Sequence, residues 1–151
     1  MRFFGDFTAK ADAKGRVFLP ATFRKVLEVN GEEQLVMRPD LFQKCLVLYP
    51  KSLWNQMLDE LKSKLSRWNK AHSDILRDFV TGVEDVVLDG SGRFLINKQK
   101  LAKAGITSEV QFLAVDDHNE VWDKDTYDAH VEKQQADLGQ RLEDAMKDLG
   151  F

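Results

Sequence analysis

The sequence predicts an α+β fold in which two pseudo-symmetric, β-rich halves pair into one core that helices cover. Three observations carry this expectation. The pattern DxxGR occurs twice, as Asp12-Ala-Lys-Gly-Arg16 and Asp89-Gly-Ser-Gly-Arg93, and self-similarity at long period marks a duplicated unit. Each copy runs on into an apolar β-type segment, Val17-Phe18-Leu19 or Phe94-Leu95-Ile96, and then into a short helical stretch. Between the copies, Leu53, Met57, Leu61, Leu65 and Trp68 recur every three or four residues, the spacing of one helix face.

The first copy reads strand, turn, strand, short helix, strand, turn, strand. Residues 5–11 and 16–19 flank a four-residue turn, 12–15, whose leading Asp and closing Gly suit a tight hairpin. Pro20 sits where a first helical turn tolerates it, and Phe23, Val26 and Leu27 fall at i, i+3 and i+4 on one apolar face. Residues 34–38 and 45–49 make a second hairpin across 39–44. The second copy repeats this order in 83–88, 93–96, a helix at 101–104 closed by Gly105, 110–115 and 120–122. The parallel extends to Leu46-Val47-Leu48-Tyr49-Pro50-Lys51-Ser52-Leu53-Trp54 against Asn119-Glu120-Val121-Trp122-Asp123-Lys124-Asp125-Thr126-Tyr127, in pattern more than in identity.

In the middle stretch Ser52 is the expected N-cap of one helix, with Trp54 and Trp68 on its apolar face. Ser73 is the expected cap of a second helix, 74–81, which Gly82 ends. Residues 125–149 carry a weaker helical pattern in Tyr127, Val131, Leu138, Leu142 and Met146, broken at Gly139. The plan is therefore a first repeat over residues 5–52, a helical linker over 53–81, a second repeat over 82–125 and an acidic helical tail over 126–151. A half of about 45 residues cannot bury enough surface by itself, so the two copies must pair.

With 151 residues, 43% of them hydrophobic and 31% charged, the chain is long enough for one domain with a folded interior, and its composition is neither low-complexity nor that of a disulfide scaffold. Cys45 is the single cysteine and is expected in the core, as is Trp122. No apolar run approaches the roughly 18 residues of a membrane span, and MRFFGDFTAK lacks the apolar stretch of a signal peptide. The expectation is a soluble, cytoplasmic protein. The net charge of −3 is unevenly placed. Residues 1–30 carry six basic and three acidic side chains, residues 31–115 twelve and eleven, and residues 116–151 four and eleven. Since a ligand answers to the local field, the first 115 residues stay eligible to hold an anion.

The DxxGR turns admit three chemistries. In one, Asp and Arg pair across the hairpin ends and bind nothing. In the second, two hairpins related by pseudo-symmetry put Arg16 and Arg93 on one surface, each braced by its own carboxylate, Asp12 or Asp89. A guanidinium so held presents a planar fork that matches guanine O6 and N7, while Lys14, Lys10 and Arg2 near the first turn serve phosphates. Ser91 stands where the first copy has Lys14, so the two grips are unequal. In the third, Asp12 and Asp89 form a catalytic dyad, Leu88-Asp89-Gly90-Ser91-Gly92 superficially resembling an aspartic-protease loop. The first copy does not fit that pattern, and an arginine four residues on keeps a carboxylate ionised. His72, His118 and His130 are too scattered for a zinc site, and no GxxxxGK[ST], GxGxxG or GxSxG occurs. No catalytic residue, metal, cofactor or small-molecule substrate is expected.

The two DxxGR copies about 77 residues apart, the run Asp12 to Pro20, the segment around Cys45 to Trp54 and the run Asp89 to Ile96 together resemble the MraZ family of the AbrB/MazE (SpoVT-AbrB) swapped-hairpin superfamily, over essentially the whole chain. The resemblance implies interlocked AbrB-like halves in a β-barrel-like core and a ring-shaped homo-oligomer. It also implies a transcriptional regulator, expected to repress its own division and cell-wall gene cluster and to associate with the nucleoid. Its partner would be double-stranded promoter DNA carrying short, guanine-rich direct repeats, with Asp12, Arg16, Asp89 and Arg93 on the DNA-facing surface. The competing reading is a non-enzymatic scaffold whose turns are protomer contacts.

Overall fold

Strand and helix alternate in the order that the duplication dictates, and the computed structural model describes residues 1–134 and 137–150. The first half contributes β1 (Asp6–Lys10), β2 (Arg16–Phe18), α1 (Ala21–Val29), β3 (Leu35–Pro39) and β4 (Leu46–Pro50). Two helices follow, α2 (Lys51–Lys64) and α3 (Lys70–Val80). The second half supplies β5 (Glu84–Val86), β6 (Arg93–Leu95), α4 (Lys98–Ala104), β7 (Glu109–Val115) and β8 (His118–Asp123), before α5 (Lys124–Gln134) and α6 (Leu138–Asp148).

The halves interlock rather than sit side by side. A six-stranded antiparallel sheet runs β1-β7-β8-β4-β3-β5, so that β1 pairs only with a strand of the second half and β5 only with a strand of the first. The remaining strands, β2 and β6, form their own two-stranded ribbon. Both joints are symmetric under exchange of the halves. Val17 lies opposite Phe94 with Arg16 opposite Leu95 and Phe18 opposite Arg93, and Val47 lies opposite Glu120 in the β4–β8 pair. The pseudo-twofold axis therefore passes through the centre of the ribbon and the centre of the sheet.

Burial follows the period-2 alternation of strands. Val17 and Phe94 face inward from the ribbon. They meet Leu35, Met37, Leu46, Leu48, Val110, Phe112 and Val121 of the sheet, Phe23 and Leu27 of α1 and Ala104 of α4. Phe23 stands edge-on to Phe3, Phe7 and Phe112. On α2, Trp54 stacks on Phe79 of α3 at 5.2 Å, and the buried Arg38 of β3 lays its guanidinium over both rings. Arg38 Nη1 donates to the Phe79 carbonyl at 2.6 Å, which ties the helical linker to β3. Cys45 and Trp122 are buried as expected, and burial drives the Cys45 thiol pKa far upward.

Four local expectations are corrected. Ser52 does not cap α2: Pro50 precedes the helix, and the Ser52 hydroxyl donates instead to Glu32 Oε2. Trp68 is not on the apolar face of α2, because the backbone turns extended at Leu65 and leaves the indole 91% exposed in the linking turn. The cap of α3 is Asn69, whose side chain accepts from the His72 N–H, rather than Ser73. Gly139 lies inside α6 and does not break it. The second-copy strand expected over 83–88 is also shorter, Glu84–Val86.

Candidate nucleic-acid interface

Each DxxGR turn is held by its aspartate, and the two are alike atom for atom. Asp12 Oδ1 accepts the backbone N–H of Lys14 and of Arg16, both at 2.9 Å, while Oδ2 accepts Arg16 Nε at 2.7 Å. Asp89 Oδ1 accepts Ser91 N–H at 2.9 Å and Arg93 N–H at 3.0 Å, and Oδ2 accepts Arg93 Nε at 2.9 Å. The motif spacing follows from this geometry: Asp must lead so that its carboxylate can reach amides two and four residues on. Gly must precede Arg because that position takes φ +89° in the first turn and +84° in the second, a region side chains avoid. A Cβ on Gly15 would also meet the Ile96 carbonyl oxygen.

These bonds hold both carboxyls below the ordinary aspartate range, with the backbone N–H of Arg16 or Arg93 as the largest cause. Both therefore stay ionised, which suits an ion pair and not a proton-sharing dyad. Because the carboxylate takes Nε, it leaves the Nη1–Nη2 edge of each partly exposed guanidinium unengaged by that ion pair, and the arginines are pre-oriented.

Alternation within the ribbon then decides where they point. Arg16, Phe18, Arg93 and Leu95 share one face, opposite the buried Val17 and Phe94. Phe18 is 53% and Leu95 56% exposed. Arg93 Cζ lies 5.7 Å from the Phe18 ring centroid, a cation–π approach for which Arg16, facing Leu95, has no counterpart. The sequence reading missed Phe18 and Leu95 as outward residues because the runs Val17-Phe18-Leu19 and Phe94-Leu95-Ile96 are apolar throughout.

Lys14 is exposed at the tip of the first turn, beside Arg16. Lys10 is exposed at the end of β1, opposite Glu109, and shares a hollow with Asp123, Lys124 and Asp125, so acidic neighbours outnumber basic ones around it. Arg2 is not near the turn. It pairs with Asp116 at 3.5 Å beyond the far end of β1, and the strand between puts it on the order of 20 Å from Lys10 at about 3.3 Å per residue. Among the described residues, no group of three or more His, Cys, Asp or Glu side chains could hold a metal ion, and no helix is long and apolar enough to cross a membrane.

Comparison with known proteins agrees with this duplicated plan. A model of the family described as MraZ protein matches twice, over residues 3–78 and 79–149. The chain is 49% identical to the transcriptional regulator MraZ of Phocaeicola vulgatus, over 97% of its own length and 94% of that protein. It is 48% identical to the protein of the same name from Bacteroides fragilis, over 98% and 93%, and 32% identical to that of Paraburkholderia xenovorans, over 93% of each. On both the repeated match and this identity along nearly the whole length, the chain belongs to the MraZ family, whose members are transcriptional regulators and not enzymes.

Proposed function

We propose that the exposed face of the β2–β6 ribbon enters the major groove of double-stranded DNA and reads guanines with Arg16 and Arg93. The observation that carries this reading is the sharing of one exposed ribbon face by both arginines, each fixed at Nε by its own aspartate. A two-stranded ribbon is among the few elements that fit the major groove, and the free edge of each fork matches guanine O6 and N7. Lys14 serves phosphate, whereas Arg2 and Lys10 are poorly placed to do so.

One protomer offers few phosphate contacts and an acidic C-terminal segment, so its affinity would be weak and salt-sensitive. A ring of protomers on successive guanine-rich repeats compensates, since later contacts become intramolecular and raise avidity by ~10²-fold or more. This supports a homo-oligomeric repressor acting on the promoter of its own division and cell-wall gene cluster, in the cytoplasm and at the nucleoid. The exposed Phe18 and Leu95 favour one competing reading, a scaffold in which the ribbon face is a protomer contact.

The two readings separate on one variant. Arg16→Ala removes the fork and leaves the strand pairing, so retention of promoter DNA in a gel shift at about 0.15 M salt should fall by ~10²-fold while light scattering shows the same oligomer. Arg16→Lys should fail as well, because a point charge cannot replace a fork. An oligomer that falls apart with DNA retention never observed would establish the scaffold instead.

A further inference from the structure

The pseudo-twofold axis relates Arg24 of α1 to Leu101 of α4, each lying eight residues after the arginine of its motif. Each reaches beneath the turn of the other half. Leu101 Cδ1 lies 3.3 Å from where a Gly15 Cβ would be, while Cδ, Cζ and Nη1 of Arg24 lie within 2.9 Å of the same point at Gly92. One turn thus rests on an aliphatic side chain and the other on a guanidinium.

The inequality complements another. Lys14 sits at the tip of the first turn, and Ser91 takes its place in the second. Arg24 forms no ion pair among the described residues, although Glu28, Glu32 and Glu33 border the same hollow. Its Nε is buried without a hydrogen-bond partner among the described residues. That Nε is enclosed by protein, so what an external anion can engage is the outer end of this partly buried guanidinium, which no ion pair neutralises among the described residues.

We propose that Arg24 is a phosphate-binding residue of the second turn, giving Asp89–Arg93 the backbone-directed cation that Lys14 gives Asp12–Arg16. The ligand is a DNA phosphodiester, and the inference rests on the DNA reading of the ribbon. Each turn then meets the duplex with one arginine for a base edge and one cation for the backbone, the second cation being supplied across the interlock by the opposite half. Lys14 and Arg24 differ in kind: the lysine is a mobile point charge, whereas Arg24 is packed in place and offers a fork.

The test uses the full chain and a duplex selected from a random-sequence pool by the wild-type protein, with affinity followed by fluorescence anisotropy from about 0.05 to 0.3 M salt. Arg24→Leu installs the residue that its pseudo-symmetric partner already carries, and Arg24→Gln keeps hydrogen-bonding capacity without charge, which leaves one informative variant if the other unfolds. For a folded variant, affinity at about 0.15 M salt should fall ~10-fold and the slope of log K against log salt should shrink by about one per bound protomer. Adding Ser91→Lys should restore both. An unchanged slope in a folded Arg24 variant overturns the inference, and so does a loss that Ser91→Lys does not recover, since that marks a merely structural role. Failure of the wild-type chain to select any duplex, or full binding by Arg16→Ala, would instead overturn the DNA reading itself.

Discussion

Asp12 and Asp89 each commit three acceptor contacts to their own turn, so the aspartate decides the backbone path and the arginine's aim at once. This gives the protein's acid response a definite sign. A carboxyl whose folded pKa is depressed contributes stability that is fully present above its unfolded value and is lost as pH falls through the folded one. The reference value is 3.8 for both groups, so turn stability should hold from neutral pH down to about pH 5 and decline progressively as the pH falls further, through 3.8 and below. Urea denaturation at pH 6 and at pH 3 should show a smaller acid loss in the Asp12→Asn, Asp89→Asn double variant than in the wild type. Parallel losses in the two proteins would contradict the assignment. The twin motifs were readable from sequence because an aspartate, a glycine and an arginine at fixed offsets leave few backbone solutions. Arg24 was not readable, since its closeness to Gly92 depends on a crossing between halves that no local pattern encodes.

Among the elements, strands and the short helix α1 emerge from alternation, turn residues and one apolar face. The α2–α3 connection does not. Trp68 continues the spacing of Leu61 and Leu65, yet the chain leaves the helix at Leu65, where Asn69 can begin and cap the next one. Periodicity alone cannot register that interruption, because the apolar residue simply moves from a helix face to an exposed turn. The two tryptophans should therefore differ sharply on truncation. Trp54→Ala removes a buried ring stacked on Phe79 and lying near the Arg38 guanidinium, and should cost ~3–5 kcal/mol in chemical denaturation. Trp68→Ala should stay within about 0.5 kcal/mol. Comparable costs at both positions would mean that the indole of Trp68 packs against something.

For the molecule as a whole, the interlock makes each half depend on the other. Residues 1–81 alone would leave β1 without β7 and β2 without β6, and residues 82–151 alone would leave β5 without β3. Neither fragment as a monomer should show cooperative thermal unfolding at micromolar concentration, and mixing them should restore a single transition. A cooperative transition in either monomeric fragment would count against the interlock as the source of stability. That two similar halves must pair follows from size and repetition. Which strands cross over does not, because long-range partners are chosen by the closed core and not by any one segment.

The axis through the ribbon holds for the backbone pairing and is broken for the chemistry, with Ser91 in the place of Lys14, Leu95 in the place of Phe18 and Leu101 in the place of Arg24. A protomer seated on a duplex through this ribbon carries an arrow: turned end for end, it would bring an aromatic ring where an aliphatic chain had been and move its mobile cation to the other strand. Copies laid along one stretch of DNA should therefore all run head to tail, and inverting a single binding unit among several should eject one protomer rather than flip it.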